Sequence, residues 1–208
     1  MTAVPMVHVV DDDASMRTSL ARLLRVAGHE VTVYGSAEEL LAAAGPSWCG
    51  CLLLDLRLPG LSGLELQEHL ATRHCHVPIV FLTAHGDVSE SVRAMKRGAV
   101  DFLQKPVVAD ELLAAVAAAL ARDAEARRQR DDLASLDARV ATLTDREREV
   151  WLLVVRGHLN KQIAFDLGIV ERTVKLHRSR AMEKLQAHST ADLVRFAERL
   201  RLIDDAPC

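Results

Sequence analysis

Over the first 122 residues, short apolar runs alternate with stripes of apolar residues at helical spacing. Residues 6–10 form an apolar run that predicts a buried strand. Residues 14–27 follow with Met16, Leu20, Leu23, Leu24 and Ala27 spaced as one helical face, and Gly28 ends that helix. Residues 31–34 predict a second strand. Ser36 caps a helix through Ala44, with Glu39 at the capping-box position and Gly45-Pro46 as its stop. Residues 50–55 predict the third strand, and 62–74 a helix with Leu64, Leu66 and Leu70 turned inward. The fourth strand is 78–82, followed by a helix over 87–97 that Gly98 closes. The fifth strand is 100–103, and a fifth helix starts at Asp110. Five βα units of even length predict a doubly wound parallel sheet with helices on both faces.

The pattern then changes. Residues 109–141 contain neither Gly nor Pro and are rich in Ala, Arg, Asp and Glu, so the fifth helix is expected to run on as a charged connector. Leu133, Leu136, Val140 and Leu143 recur on one side of it. Beyond it, Thr144 with Glu147 makes a second capping box for a helix ending at Gly157. Asn160 is expected to cap a short helix over 161–167, closed by Gly168. A longer helix follows over 171–185, and a last one over 190–199. A short helix, a tight Gly turn and a longer basic helix make a helix-turn-helix. The expected organisation is a front domain over 1–122, a helical linker over 123–141 and an all-α four-helix domain over 142–208.

Charge supports that division. The net charge is −4 over 1–122, −1 over 123–141 and +2 over 142–208, within −3 for the whole chain. The two ends therefore face different partners. The four cysteines have no zinc-ligand spacing and read as free thiols of a reducing compartment. The start of the chain lacks the basic and apolar regions of a signal peptide, and the apolar run 112–121 is about half the length needed to span a bilayer. A cytoplasmic protein with no membrane partner is expected.

The candidate chemistry lies at the ends of the predicted strands. The first runs into Asp11-Asp12-Asp13, the third stops on Asp55, the fourth runs into Thr83-Ala84 and the fifth into Gln104-Lys105-Pro106. In an open α/β sheet these ends form one rim, where ligands bind. Asp55 is placed as a phosphoryl acceptor, forming a mixed anhydride. Carboxylates packed this closely call for a cation, and Mg²⁺ (or Mn²⁺) suits oxygen ligands. Asp12 and Asp55 are expected as direct ligands, Asp11 through a water, and the Arg57 backbone carbonyl as a further one. Lys105 would pair with one phosphoryl oxygen as a point charge, and Thr83 would hydrogen-bond another.

These residues, with Leu54-Asp55-Leu56-Arg57-Leu58-Pro59-Gly60 and Gly98-Ala99-Val100-Asp101-Phe102-Leu103-Gln104-Lys105-Pro106, resemble the receiver domain of two-component response regulators over about residues 5–122. The resemblance implies a flavodoxin-like sheet in the order 2-1-3-4-5 and phosphorylation of Asp55 by a sensor histidine kinase. It implies a switch in which Thr83 and Ala84 close on the phosphoryl group and Phe102 turns inward. A cis bond at Lys105-Pro106 is common in such domains. Gln104 stands where many relatives carry Glu or Thr, and Ser89-Glu90 where Pro-Met is frequent, so the output face differs in detail.

In the back domain, Arg172, Lys175, Arg178, Arg180 and Lys184 make 171–184 a basic helix fit for a DNA major groove. Lys161, at the start of the preceding helix, suits a phosphate contact. Leu143-Thr144-Asp145-Arg146-Glu147, Asn160-Lys161-Gln162-Ile163-Ala164 and Arg172-Thr173-Val174-Lys175-Leu176-His177-Arg178-Ser179 are similar to the LuxR/FixJ-type helix-turn-helix over about 140–200. Trp151 departs from it, standing where a smaller aliphatic residue is usual. Thr173, Lys175, Leu176, His177, Arg178 and Ser179 lie at or near the exposed face of the basic helix. The resemblance implies DNA contacts by Lys175, Leu176 and Arg178 or Ser179, and self-association through Leu193 and Phe196, with plain core packing of that last helix as the alternative. A net charge of only +2 predicts weak binding by one copy, so two copies on a two-fold site are expected. The expected function is that of a transcription regulator that dimerises on phosphorylation, with RNA polymerase as a further partner, and that is not an enzyme beyond supporting its own dephosphorylation.

An enzyme is the rival reading. A haloacid-dehalogenase-type phosphatase needs a second acid two residues after its nucleophile, and that position holds Arg57. A flavodoxin-like nucleotide binder needs a Gly-rich loop after the first strand, and Asp11-Asp12-Asp13 would repel phosphates there.

Overall fold

The computed structural model of the chain describes residues 4–43, 48–73, 75–84 and 88–203. It divides into two compact units, Met1–Arg127 and Arg128–Cys208.

The front unit holds β1 (Met6–Val10), α1 (Ala14–Val26), β2 (Glu30–Tyr34), α2 (Ala37–Ala43), β3 (Gly50–Asp55), α3 (Gly63–Thr72), β4 (Ile79–Thr83), α4 (Val88–Lys96) and β5 (Asp101–Gln104), and α5 (Ala109–Val140) begins in it. The five strands form one parallel sheet in the order β2-β1-β3-β4-β5, the flavodoxin-like order expected. Alternation along β3 shows why both faces need cover. Cys51 and Leu53 join the core made with Leu20, Leu24, Leu112 and Val116 of α1 and α5. Leu52 and Leu54 join the core made with Leu40, Leu64, Leu66 and Ala94 of α2, α3 and α4. Every residue of β3 is buried, so its sequence is a continuous apolar run rather than an alternating one.

Two glycines are dictated by close approach. Gly50 starts β3 at φ +121°, and a Cβ there would lie 1.8 Å from the Met6 carbonyl oxygen. Gly63 opens α3, and a Cβ there would lie 2.5 Å from the Asp55 carbonyl oxygen. Caps follow sequence closely, with exceptions. Ser62 and Glu65 form a full capping box on α3. On α2, Ser36 Oγ accepts from Glu39 N–H, but the Glu39 carboxylate accepts from Gly35 N–H at 2.6 Å instead of closing the box on Ser36. The expected stop at Gly45-Pro46 lies outside the described residues.

The connector is helical: α5 runs unbroken for 32 residues. In the back unit, α6 (Asp145–Val155), α7 (Asn160–Leu167), α8 (Glu171–Leu185) and α9 (Thr190–Arg199) enclose a core of Val150, Trp151, Ile163, Val174, Ala181, Leu185 and Leu193. Trp151 is fully buried and its indole N–H donates to the Leu193 carbonyl at 3.1 Å, which accommodates an unusually large side chain at that position. Asn160 is not the cap of α7. It is the first helical residue, Leu159 is the cap, and Gln162 Oε1 accepts the Leu159 N–H at 2.7 Å. Among the described residues no helix is long and apolar enough to cross a membrane.

Candidate functional site

The strand register fixes the rim. Val10 lies beside Leu54, Asp55 beside Leu82, and Thr83 beside Gln104, so Asp11, Asp55, Thr83 and Lys105 sit at neighbouring C-terminal strand ends. Lys105 Nζ lies 2.6 Å from Asp11 Oδ2 and 2.6 Å from Asp55 Oδ2. Carboxylate oxygens of Asp11, Asp12 and Asp55 all fall within 4.8 Å of one another. Asp11 and Thr83 are fully buried, Asp55 nearly so, and Asp12 is exposed. The second Asp55 oxygen, Oδ1, accepts the Arg57 N–H at 3.0 Å.

Electrostatics follow from this packing. Burial pushes the Asp11 carboxyl above the usual carboxylate range, against the bonds from Lys105 and the Asp13 N–H that favour its charge. For Lys105, burial works downward, but its bonds to Asp11 and Asp55 outweigh it and the net shift is upward. The ammonium therefore stays charged and shares itself between two acids. Oxygen-only donors around a charge excess are what a small hard cation requires.

Phe102 is half-buried, with its ring centroid 6.3 Å from that of Phe81 on the same side of the sheet. Ala84 is exposed beside the buried Thr83. The Lys105-Pro106 bond is cis. Asp13 is exposed and caps α1, accepting from Ser15 and Met16 N–H.

On the back unit, Lys175, Leu176 and Ser179 share the exposed side of α8, and Lys161 is exposed on α7. Lys175 pairs with Glu171 one turn earlier at 3.1 Å. Thr173 is half-buried. Arg178, expected beside them, has its guanidinium drawn elsewhere: it donates to Asn160 Oδ1 at 3.4 Å and to Thr190 Oγ1 at 2.7 Å, tying together the starts of α7 and α9. Leu193 requires a correction. It is fully buried in its own core, so it has no surface to offer a second copy. Phe196 is half-buried and keeps one side open.

Residues 7–117 match the family described as the response regulator receiver domain, and residues 141–197 match the bacterial regulatory proteins of the luxR family. Nodulation protein W of Bradyrhizobium diazoefficiens is 50% identical over 93% of this chain and 86% of its own length. The transcriptional regulatory protein FixJ of Azorhizobium caulinodans is 47% identical over 92% of this chain and 90% of its own. Among solved structures, the response regulator StyR is 48% identical at a TM-score of 0.85, covering 95% of this chain and all of that one. The chain belongs to the FixJ-type response regulators.

It is thus a transcription regulator controlled by phosphorylation, with a receiver that implies a histidine kinase and a LuxR-type domain that implies DNA. Sequence reasoning missed several features of this response regulator. His8 is buried, stacks on Trp48 at 4.3 Å between centroids and faces the Tyr34 hydroxyl at 3.4 Å; only its place inside an apolar strand hinted at this. Asp123, in the expected linker, is buried and accepts the Gly50 N–H at 2.8 Å. A single acid in a charged helix carries no signal of such a contact. Cys49 and Cys51 are free thiols, and Cys51, buried near Asp123, has its pKa pushed up to about 12, which makes it unreactive. Cys208 lies outside the described residues.

Proposed function

We propose that Asp55 takes a phosphoryl group from a sensor histidine kinase, and that this transfer promotes dimerisation and sequence-specific DNA binding. The observation that carries the reading is Lys105 Nζ held 2.6 Å from both Asp11 and Asp55 at the strand ends. In the transfer, an Asp55 oxygen bonds to phosphorus as the bond from phosphorus to the kinase's histidine nitrogen breaks, and that nitrogen keeps the electron pair. Lys105 then moves from the two carboxylates to a phosphoryl oxygen. The Thr83 hydroxyl donates to another, with Ala84 beside it, and Phe102 turns into the space that Thr83 leaves.

Asp11, Asp12, Asp55 and the Arg57 carbonyl would hold Mg²⁺ (or Mn²⁺), and the gathering of carboxylate oxygens within 4.8 Å supports that assignment. The ion, when bound, neutralises charge on the phosphoryl oxygens. The same buried surroundings support slow self-dephosphorylation by water. Lys161, Thr173, Lys175, Leu176 and Ser179 meet DNA, with Arg178 bracing their helix toward a backbone phosphate. Phe196 contributes to self-association, and a second copy multiplies weak single-domain affinity. RNA polymerase is the partner at the promoter, and the work takes place in the cytoplasm.

The test is light scattering and DNA retention with and without beryllofluoride and Mg²⁺, on wild type and Asp55→Asn. Dimerisation and tighter retention in wild type alone support the reading. No change in either for wild type sinks it.

A further inference from the structure

At the N-terminal edge of the front sheet, the edge away from Asp55, a pocket of about 290 Å³ opens between the ends of α3 and α4, the start of β4 and the outer part of α5. Leu70, Val77 and Ile79 line its apolar wall, and Gln67, Arg97 and Arg122 add polar groups. Phosphoryl chemistry uses none of them.

The two guanidiniums differ. Arg97 is paired with Glu68. Arg122 makes one bond, from Nη1 to the Gly98 carbonyl at 3.3 Å, and has no acid partner among the described residues. Gln67 is only 6% exposed. Its Nε2 donates to the carbonyls of Ala94 and Arg97, both at a long 3.4 Å, and its Oε1 is buried without a partner. A buried acceptor without a donor is costly, and long bonds on the other side of the amide leave it room to turn. One unneutralised cation and one unsatisfied acceptor therefore share the lining of one pocket that also has an apolar wall.

We propose that this pocket binds a small hydroxycarboxylate. The carboxylate bonds to Arg122, the carbon chain lies against Leu70, Val77 and Ile79, and the hydroxyl donates to Gln67 Oε1. A monoanion fits better than a phosphate. Glu68 already neutralises Arg97, and the C-terminal ends of α3 and α4 carry partial negative charge that a dianion would meet. Arg122 and Ala126 of the lining lie on α5 just before Arg127, where the front unit ends. The ligand would thus touch the connecting helix directly, and is a second input separate from Asp55.

The experiment titrates the full chain with 6-hydroxyhexanoate, hexanoate and 1,6-hexanediol, read by calorimetry and by amide shifts at Ile79 and Gly98. The expected result is saturable one-to-one binding of 6-hydroxyhexanoate in the millimolar range, with hexanoate about tenfold weaker and no saturation by the diol. Arg122→Gln, at an exposed position, should weaken the hydroxyacid about tenfold without lowering the melting temperature. Gln67→Met should level the two acids, and Asp55→Asn should bind as wild type. Absence of saturable binding, equal binding of the two acids by wild type, or unchanged affinity in Arg122→Gln would overturn the proposal. If Gln67→Met folds poorly, Arg122→Gln still decides.

Discussion

The Asp123 carboxylate reaches across the foot of the front sheet to the Gly50 N–H, 2.8 Å away and 73 residues back in the chain. The same oxygen pairs with Arg127 Nε at 2.9 Å. Gly50 begins the strand that ends at Asp55, so one fully buried strand has the rim carboxylate at one end and a helix anchor at the other. Asp123→Ala would leave a buried N–H without its acceptor and should cost the front unit about 2–3 kcal/mol. Asp123→Asn keeps an acceptor and should cost less. Urea unfolding in a Trp151→Phe background, where Trp48 is the remaining indole, reads that unit alone. Equal midpoints for Asp123→Ala and its parent would show the contact to be idle.

Gly63→Ala tests how tightly α3 seats against Asp55, the proposed phosphoryl acceptor. The added methyl would meet the Asp55 carbonyl oxygen at 2.5 Å, with the Phe81 ring 3.2 Å away. Backbone has to move, at about 1–3 kcal/mol. Because the displaced atom belongs to Asp55, phosphoryl uptake from a small acyl phosphate should slow about tenfold. A variant that unfolds earlier yet is phosphorylated at the parental rate would separate seating from chemistry.

His8 makes the front unit acid-sensitive. Burial lowers its pKa from the ordinary 6.5, so the unfolded chain binds the proton more readily than the folded one. Stability should therefore be full above about pH 6.5 and fall as the pH drops toward the lowered folded value. His8→Phe removes the titration and keeps a ring against Trp48. Its unfolding free energy should be flatter across that window than that of wild type, and parallel profiles would assign the acid sensitivity to other groups.

Leu193 and Phe196 should separate by experiment. Leu193→Ala hollows a filled core and should cost the back unit about 3 kcal/mol, with no direct effect on association. Phe196→Asp should lose less stability and weaken beryllofluoride-induced dimerisation. Sedimentation of both variants at one temperature below their melting points makes the comparison. Loss of association in Leu193→Ala while its back unit remains folded would return Leu193 to the interface.

Glu147 is a buried acid whose charge is held by Lys184 at 2.6 Å and by its capping bonds to Thr144, which together overcome the opposing effect of burial and lower its pKa. Its contribution should be present above the ordinary value of 4.5 and lost as the pH falls through the lowered one. Glu147→Gln should destabilise the back unit by about 2 kcal/mol at neutral pH and much less in acid. A loss that is the same at both pH values would mean that the pair with Lys184 carries none of it.

Much of this was legible because it is written locally. Strand runs ending on Asp11, Asp55, Thr83 and Lys105 are contiguous signals, and parallel strands of matched length bring their ends together whatever the loops do. The capping box expected at Thr144 is a four-residue signal and formed, whereas the one expected at Ser36 did not close because Glu39 turned to the Gly35 N–H. What the sequence concealed depends on long-range packing. Leu193 and Phe196 lie three residues apart on one helix, and only the finished core makes one internal and the other half open. Arg178 has the composition of a DNA contact, yet its partners come from two other helices. Asp123 reads as one more solvated charge until the sheet supplies Gly50.

The chain brings Asp11, Asp55 and Lys105 together from positions 50 and 94 residues apart. In the unfolded chain these groups are strangers, so neither cation affinity nor phosphoryl acceptance exists there. A nascent or heat-damaged copy is chemically mute to the kinase. Only molecules that have completed the sheet can carry the signal, and a cation held by the proposed carboxylate set would draw the folding equilibrium further toward them.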